Sequence, residues 1–481
     1  MKDYSKAYKA YDIRSLYDDP IDDVFAFNLG RALGREASVR HGGRARIVIG
    51  SDVRMRNNTL IYWFVKGIKQ GGTIHVISAG MQVDPIDDQQ SNRRGVCSTS
   101  MMYYISKGDF SFGAQFTASH NPAAYAGIKI VDHQAVLQES GFLQELVGDT
   151  YDPLPSAFDQ DECDLLIGEL MQGPSRAIIN ANYKEYTAIM DAAMQAVTKK
   201  NRIVVDYVNG AAIAYERKIL TELCARYGHT LIEINTAADA QFRAHLSDTT
   251  DPHEYHQLSQ AVLEHQADIG FMFDGDGDRT GVVDNTGTMI VGDVIVAILA
   301  KYYLQISPPG SAVVYDVMST NAILDIIKQY GGEPIPSKIG HRFIKEKYKE
   351  HQAVFGGELS GHLFFSEVGG FESSLFALIL LVQSLETYLD AASMVNEIMP
   401  YYKPAQVNYT VEDVQASLEK IKEAYKNSTQ DYTDGVRIDG AGWWFLVRGS
   451  LTEPKLRFCS ECRNQKQYEE IKSKVEKVLS V

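Results

Sequence analysis

The sequence predicts an α/β protein in which three similar α/β units follow one another and a smaller α+β domain closes the chain. Three observations predict it. At 481 residues the chain exceeds what one hydrophobic core serves, and about 150 residues per domain suggests three or four units. Short apolar runs of strand length alternate with stretches of helical spacing, and this alternation occurs three times. Beyond about residue 390 the alternation stops.

In the first unit, residues 47–50, 73–78 and 112–116 read as strands, and Leu60, Phe64 and Ile68 recur on one helix face. Residues 123–127 are small and turn-like. In the second, strands at 203–205, 231–234 and 269–273 accompany a helix through Ile213 and Leu220. In the third, strands at 312–317, near Ile335 and at 353–355 accompany a helix through Ile323 and Ile327. Strands separated by helices imply parallel βαβ units. An acidic, proline-containing stretch at 149–164 reads as a linker, and the next junction falls near Gly292. In the last domain Thr410 and Asp413 resemble a capping box ahead of a helix whose Val414, Leu418 and Ile421 share a face. Strands at 436–438 and 443–447 then flank a Gly-Ala-Gly turn.

An apolar share of 45% with 23% charged residues fits a soluble globular chain. The net charge of −15 argues against nucleic acid as a partner, because phosphate contacts need a basic surface. The N-terminal residues lack a signal-peptide core, and the longest apolar run, 375–382, is too short to cross a bilayer. A cytoplasmic protein with no membrane partner is therefore expected. Five cysteines suit a reducing compartment, and the lone C-x-x-C of Cys459 and Cys462 lacks the second pair that a zinc site needs.

Four stretches carry chemistry. The first, T-A-S-H-N-P at 117–122, follows a strand and offers the Ser119 hydroxyl, flanked by Thr117, His120 and Asn121, with Lys129 ten residues on. The second, D-G-D-G-D-R at 274–279, places Asp274, Asp276 and Asp278 at alternating positions, a set able to fold onto one divalent cation while Arg279 stays available for an anion. Hard oxygen ligands favour Mg²⁺ or Ca²⁺. An EF-hand loop is excluded, because its sixth and twelfth positions hold Arg279 and Asn285 instead of Gly and Glu. The third, G-G-E-L-S-G-H at 356–362, brings Glu358 and Ser360 for sugar hydroxyls and His362 for proton transfer; the basic residues Lys338, His341 and Arg342 precede it. The fourth, residues 448–457, carries Arg448, Ser450, Thr452 and Arg457, the parts of a phosphate cradle.

Together with Y-D-I-R at 11–14, these stretches resemble the α-D-phosphohexomutases, the phosphomannomutase and phosphoglucomutase group, in family order over nearly the whole chain. The resemblance implies three similar α/β domains with mixed sheets plus a smaller C-terminal α+β domain around a central cleft. The boundaries expected are 1–160 with the phosphoserine loop, 161–291 with the metal loop, 292–389 with the sugar loop and 390–481 with the phosphate loop. It also implies that Ser119 is carried as phosphoserine and that Asp274, Asp276 and Asp278 hold Mg²⁺ with a phosphoserine oxygen. Lys129 and His362 match acid/base positions, and Arg14 and Arg279 match residues that stabilise the transferring phosphoryl group. Tyr11, His120, Lys338, His341, Glu358 and Ser360 would contact the sugar phosphate, and Arg448, Ser450, Leu451, Thr452 and Arg457 its unreacting phosphate.

The implied activity interconverts hexose 1- and 6-phosphates of mannose and glucose through a hexose 1,6-bisphosphate, which is both intermediate and activator, in a monomer or homodimer. Two positions depart from the family pattern: Leu451 in the phosphate loop and Met318, where several relatives have a basic residue. Phosphoglucosamine mutase is the nearest alternative, disfavoured by Leu359 where its loop usually carries Gln. A phosphatase with Asp274 as nucleophile is disfavoured by Asp278, and a catalytically silent relative by the intact serine and carboxylate set.

Overall fold

In the computed structural model of the chain, residues 2–9, 12–86, 95–172, 176–449 and 455–480 are described. The chain divides into two compact units, Met1–Ile290 with His362–Ala391 and Val291–Gly361 with Ala392–Val481.

The first unit contains two mixed sheets. In one, Phe112–Phe116, Arg46–Ser51 and His75–Ser78 run parallel. Strand Phe112–Phe116 is buried at every position, and its one polar residue, Gln115, donates to the Cys97 carbonyl at 2.8 Å. Helices Asp23–His41 and Asn57–Gly71 cover one face: Leu29, Leu33, Leu60, Phe64 and Ile68 join Ile47, Ile49, Phe112 and Phe116 in one core. Asp22 begins the first of these helices by accepting from the Phe25 N–H at 2.8 Å.

Three further strands complete this sheet through two antiparallel pairings, which makes it mixed, as the resemblance implies. Tyr125–Asp132 lies beside Phe112–Phe116 with Lys129 opposite Gln115, so the turn read at 123–127 gives way to strand at Tyr125. The connection between these strands is too short for a crossover helix and can only reverse the chain. Ile13–Tyr17 then pairs antiparallel with that strand, placing Arg14 opposite Gly127. The stretch read as a linker at 149–164 ends inside the helix Gln160–Gln172, whose Cys163, Leu166 and Ile167 belong to the same core.

In the other sheet of this unit, Thr230–Ile234, Arg202–Asp206 and Ile269–Phe273 are parallel, and Thr280–Asp284 returns antiparallel with Thr280 opposite Phe273. Residues 274–279 are therefore the loop of a hairpin. The apolar run at 375–382 lies in the buried helix Ser374–Ser384, beside the helix Arg176–Gln195, where Tyr186 Oη and Ser373 Oγ are 2.7 Å apart. Among the described residues no single helix is long and apolar enough to cross a membrane.

In the second unit, Ala312–Asp316 runs parallel between Glu333–Ser337 and Phe355–Gly357. The third of these strands begins where the predicted one, 353–355, ends. A five-stranded antiparallel sheet, in the order Val407–Thr410, Lys455–Glu461, Trp443–Gly449, Val436–Gly440 and Thr429–Asp431, forms the C-terminal domain. Thr410 lies in a strand, so the helix Val414–Ala424 is capped by Asp413, which accepts from the Ala416 N–H at 3.0 Å. Cys459 and Cys462 enter different apolar clusters, the first with Val317 and Trp444 and the second with Phe445 and Phe458, so they do not form one ligand pair.

Candidate active site

Ser119 stands three residues beyond the end of strand Phe112–Phe116, buried to 1% exposure and with φ 54°, a left-handed conformation that L-residues adopt at a cost. Its N–H donates to Thr117 Oγ1 at 2.8 Å, and its hydroxyl donates to Asp274 Oδ2 at 3.0 Å. His120 Nδ1 is 3.3 Å from the same oxygen. Burial and the charges of Arg279 and Arg14 push the His120 imidazole down to about 3 against the pull of Asp248, so it is neutral at pH 7. Arg14, which pairs with Asp12 at 2.5 Å, thus acts on the same loop through its charge.

The hairpin loop 274–279 closes on itself because Asp274 Oδ1 accepts from the Asp278 and Arg279 N–H groups at 3.0 and 3.2 Å. Two glycines permit the shape. Gly277 has φ 72°, and a Cβ on Gly275 would stand 2.7 Å from the Ser119 carbonyl oxygen. The serine loop and the acidic loop therefore touch through backbone.

Asp274, Asp276 and Asp278 are all buried and offer oxygens within 4.8 Å of one another. Lys129 Nζ donates to Asp276 Oδ2 at 2.7 Å and to Asp278 Oδ2 at 2.6 Å. The Thr99 hydroxyl adds a bond to Asp276 Oδ2 at 2.6 Å. Burial and then the neighbouring carboxylates push Asp274 well above the usual range, and Asp278 shifts the same way. For Asp276, burial opposes the charge, but Lys129 and the Thr99 hydroxyl overcome it and hold the group low. Asp276 Oδ1 and Asp278 Oδ1 are buried without a hydrogen bond. Three crowded carboxylates with two unpartnered oxygens form an all-oxygen donor set that fits a hard divalent cation.

Arg279 Nε donates to His362 Nε2 at 3.0 Å and lies 3.8 Å from Asp274 Oδ2. That bond makes Nε2 the acceptor and leaves the proton on Nδ1, which is 3.7 Å from both Asp278 Oδ1 and Glu372 Oε1. Ser119, Lys129, the three aspartates, Arg279 and His362 thus share one bonded cluster within the first unit.

In the second unit Glu358 links two loops: its Oε2 accepts from the Gly340 N–H at 3.0 Å and its Oε1 accepts from the Ser360 hydroxyl. His341 is buried at the start of helix His341–Glu350, and Lys338 is exposed near the Phe343 ring. Met318 packs against the cluster of Val317, Trp444, Leu446 and Cys459, while its carbonyl accepts from Lys403 Nζ at 2.6 Å. Arg448 and Arg457 face each other as cross-strand partners. Like charges directly opposite repel unless an anion or carboxylate relieves them, and Asp434 lies 3.9 Å from Arg448. Tyr11, Ser450, Leu451 and Thr452 lie outside the described residues.

Several polar residues of the site escaped sequence reasoning: Thr99, Arg54, Glu372 and Glu216. Glu216 accepts from the Ser98 hydroxyl, which also caps helix Thr99–Ser106, and its other oxygen has no hydrogen bond. Burial pushes this carboxyl up to about 7 from 4.5, only partly offset by Ser98. The folded protein keeps a proton that the unfolded chain has released, so this group's contribution is complete below pH 4.5 and is lost as pH rises through about 7. The loss is on the order of 3 kcal/mol. Glu216→Gln, which imitates the protonated form, is expected to reduce the pH 5 to pH 8 difference in urea unfolding free energy by that amount. A variant with the wild-type pH profile contradicts the assignment.

Family models describing phosphoglucomutase/phosphomannomutase alpha/beta/alpha domains I, II and III match residues 5–148, 182–287 and 291–402, and the model of the family's C-terminal domain matches 407–478. The chain is 32% identical over 476 residues to a phosphomannomutase of Methanocaldococcus jannaschii, covering 98% of this chain and 97% of the relative. It is 30% identical over 475 residues to a phosphomannomutase/phosphoglucomutase of Pseudomonas aeruginosa, covering 97% and 94%. A solved phosphoglucomutase/phosphomannomutase family protein of Burkholderia thailandensis shares the fold, with a TM-score of 0.79, 24% identity, and coverage of 100% of this chain and 98% of that one. Matches to all four family domains, in order along a chain carrying this serine and carboxylate cluster, make it a member of the phosphoglucomutase/phosphomannomutase family of phosphohexomutases.

Proposed function

We propose that this chain interconverts hexose 1-phosphates and hexose 6-phosphates of mannose and glucose, carrying the phosphoryl group on Ser119. The observation that carries the reading is the Ser119 hydroxyl 3.0 Å from Asp274, beside a buried carboxylate set and the side chains of His120, Lys129, Arg279 and His362. Asp274, Asp276 and Asp278 would hold Mg²⁺ with an oxygen of the phosphorylated serine. The ion supplies charge neutralisation on phosphoryl oxygens during in-line transfer.

The chain's own residues do the rest. A sugar hydroxyl attacks the phosphorus, the bond to Ser119 Oγ breaks, and the hydroxyl proton must leave while the serine oxygen regains one. Lys129 and His362 serve these proton transfers, and Arg279 and Arg14 balance the phosphoryl charge. Lys129 also orients Asp276 and Asp278, because burial costs its charge less than those two carboxylates return. Glu358 and Ser360 would hold the sugar hydroxyls, and Tyr11, His120, Lys338 and His341 would contact the substrate. Arg448, Ser450, Leu451, Thr452 and Arg457 grip the phosphate that does not react. The bisphosphate then presents its other phosphate to Ser119.

The test is peptide mass spectrometry with coupled assays on mannose 1-phosphate, glucose 1-phosphate and glucosamine 6-phosphate, with Mg²⁺ and glucose 1,6-bisphosphate. One phosphate on Ser119 that passes to glucose 1-phosphate, with glucose 6-phosphate appearing, is the expected result. Dominant turnover of the glucosamine substrate moves the assignment to a phosphoglucosamine mutase, and release of free phosphate alone overturns it.

A further inference from the structure

The loop 117–125 turns four backbone carbonyls toward one point. Such an arrangement repels itself unless a single cation collects the oxygens, and the cation is Arg54. Its Nη2 donates to the Ser119 and Asn121 carbonyls at 2.9 and 2.5 Å, and its Nη1 to the Pro122 and Tyr125 carbonyls at 2.7 and 3.3 Å. The side chain is 2% exposed. Its Nε is tied to Asp52 Oδ2 at 3.1 Å, and Asp52 Oδ1 accepts from the Arg54 N–H at 2.9 Å and from Asn57 Nδ2 at 2.8 Å. Asp52 is in turn fixed to the sheet, since its N–H donates to the Phe116 carbonyl at 3.0 Å. The Phe242 ring closes the face of the guanidinium, 5.1 Å from Cζ.

We propose that Arg54 is the positioning residue of the nucleophile loop: it holds Ser119 in the left-handed conformation that aims its hydroxyl at Asp274. This proposal rests on the reading of Ser119 as the phosphoryl carrier. The four carbonyls named above, bound through Nη1 and Nη2, belong to residues 119–125. The Ser119 carbonyl is fixed from two sides, by Arg54 and by the close approach of Gly275, so the distance between the serine and acidic loops depends on it. Lysine is no substitute. A planar fork with five donors reaches separate acceptors in one plane, whereas an ammonium is a compact point charge with three.

A displacement of the reacting oxygen on the order of 1 Å costs about 10²-fold in rate. Arg54→Lys is therefore expected to lower kcat about 10²-fold while KM for glucose 1-phosphate stays within about threefold, because the sugar is gripped by other residues. Rapid-quench transfer of phosphate from Ser119 to glucose 1-phosphate should slow in parallel with kcat. Loss of stability alone would lower the unfolding midpoint and leave turnover per folded molecule unchanged. Phe242→Leu, which removes only the ring over the guanidinium, is the gentler variant and should lower kcat severalfold with KM unchanged; this result stands if Arg54→Lys fails to fold. Wild-type kcat in Phe242→Leu, or in folded Arg54→Lys, overturns the proposal while leaving the functional reading intact. A wild-type protein that neither carries phosphate on Ser119 nor turns over sugar phosphate overturns both.

Discussion

Ser119→Ala is expected to lower mutase turnover by at least about 10³-fold, because among the described residues the Ser119 hydroxyl is the one bonded to Asp274 and so placed to form the covalent intermediate. Thr117 Oγ1 is engaged as the acceptor of the Ser119 N–H, and that bond holds the backbone of the loop rather than offering a second attacking oxygen. The loop itself should survive the substitution, since the Arg54 bonds reach carbonyls and not the serine side chain. The variant should therefore fold, bind sugar phosphate and show no phosphate on peptide 117–122 by mass spectrometry. Turnover within tenfold of wild type in the coupled assay would remove Ser119 from the chemistry.

The second large effect is expected at Asp276. This carboxylate uses Oδ2 for Lys129 and Thr99 and leaves Oδ1 buried without a hydrogen bond. Asp276→Asn removes a full charge from the donor set, and its amide must turn an N–H₂ either toward the Lys129 ammonium or toward the cation, both repulsive. Changing even the partners of metal ligands costs 10- to 100-fold in affinity as a general rule, so a loss of about 10²-fold in Mg²⁺ affinity is the expected scale. Calorimetric titration with Mg²⁺ reads it directly, and the half-saturating Mg²⁺ in the activity assay should rise in step. Equal titrations for variant and wild type would place the cation elsewhere. Lys129 would then be bound to one carboxylate in place of two, so kcat at saturating Mg²⁺ should fall as well.

Much of the fold was legible because buried parallel strands must be apolar on both faces. Residues 269–273 are such a run, residues 112–116 depart from it only at Gln115, and both are strands with those bounds. The antiparallel additions were hidden. Ile13–Tyr17 has mixed burial along its length, and Tyr125–Asp132 begins in small residues that resemble a turn. Thr410 and Asp413 both satisfy a helix-start pattern, and only the pairing of Thr410 with Lys455 decides that Asp413 is the cap.

What the sequence determined by itself is the set of contiguous loops: a serine among small polar residues, three aspartates spaced by glycines, and a family order along the whole chain. Cation and phosphate chemistry demands particular residue types at short, fixed offsets, and short offsets survive in one dimension. What only the tertiary structure decided is which groups meet. Ser119 bonds to a carboxylate 155 positions away, and Lys129 spans two others at separations of 147 and 149. Arg54 reaches carbonyls that carry no side-chain signature, and Thr99 and Glu216 are ordinary polar residues until burial strips them of water. Long-range pairing of backbone and buried charge is set by the packing of whole sheets and helices, and no local pattern encodes it.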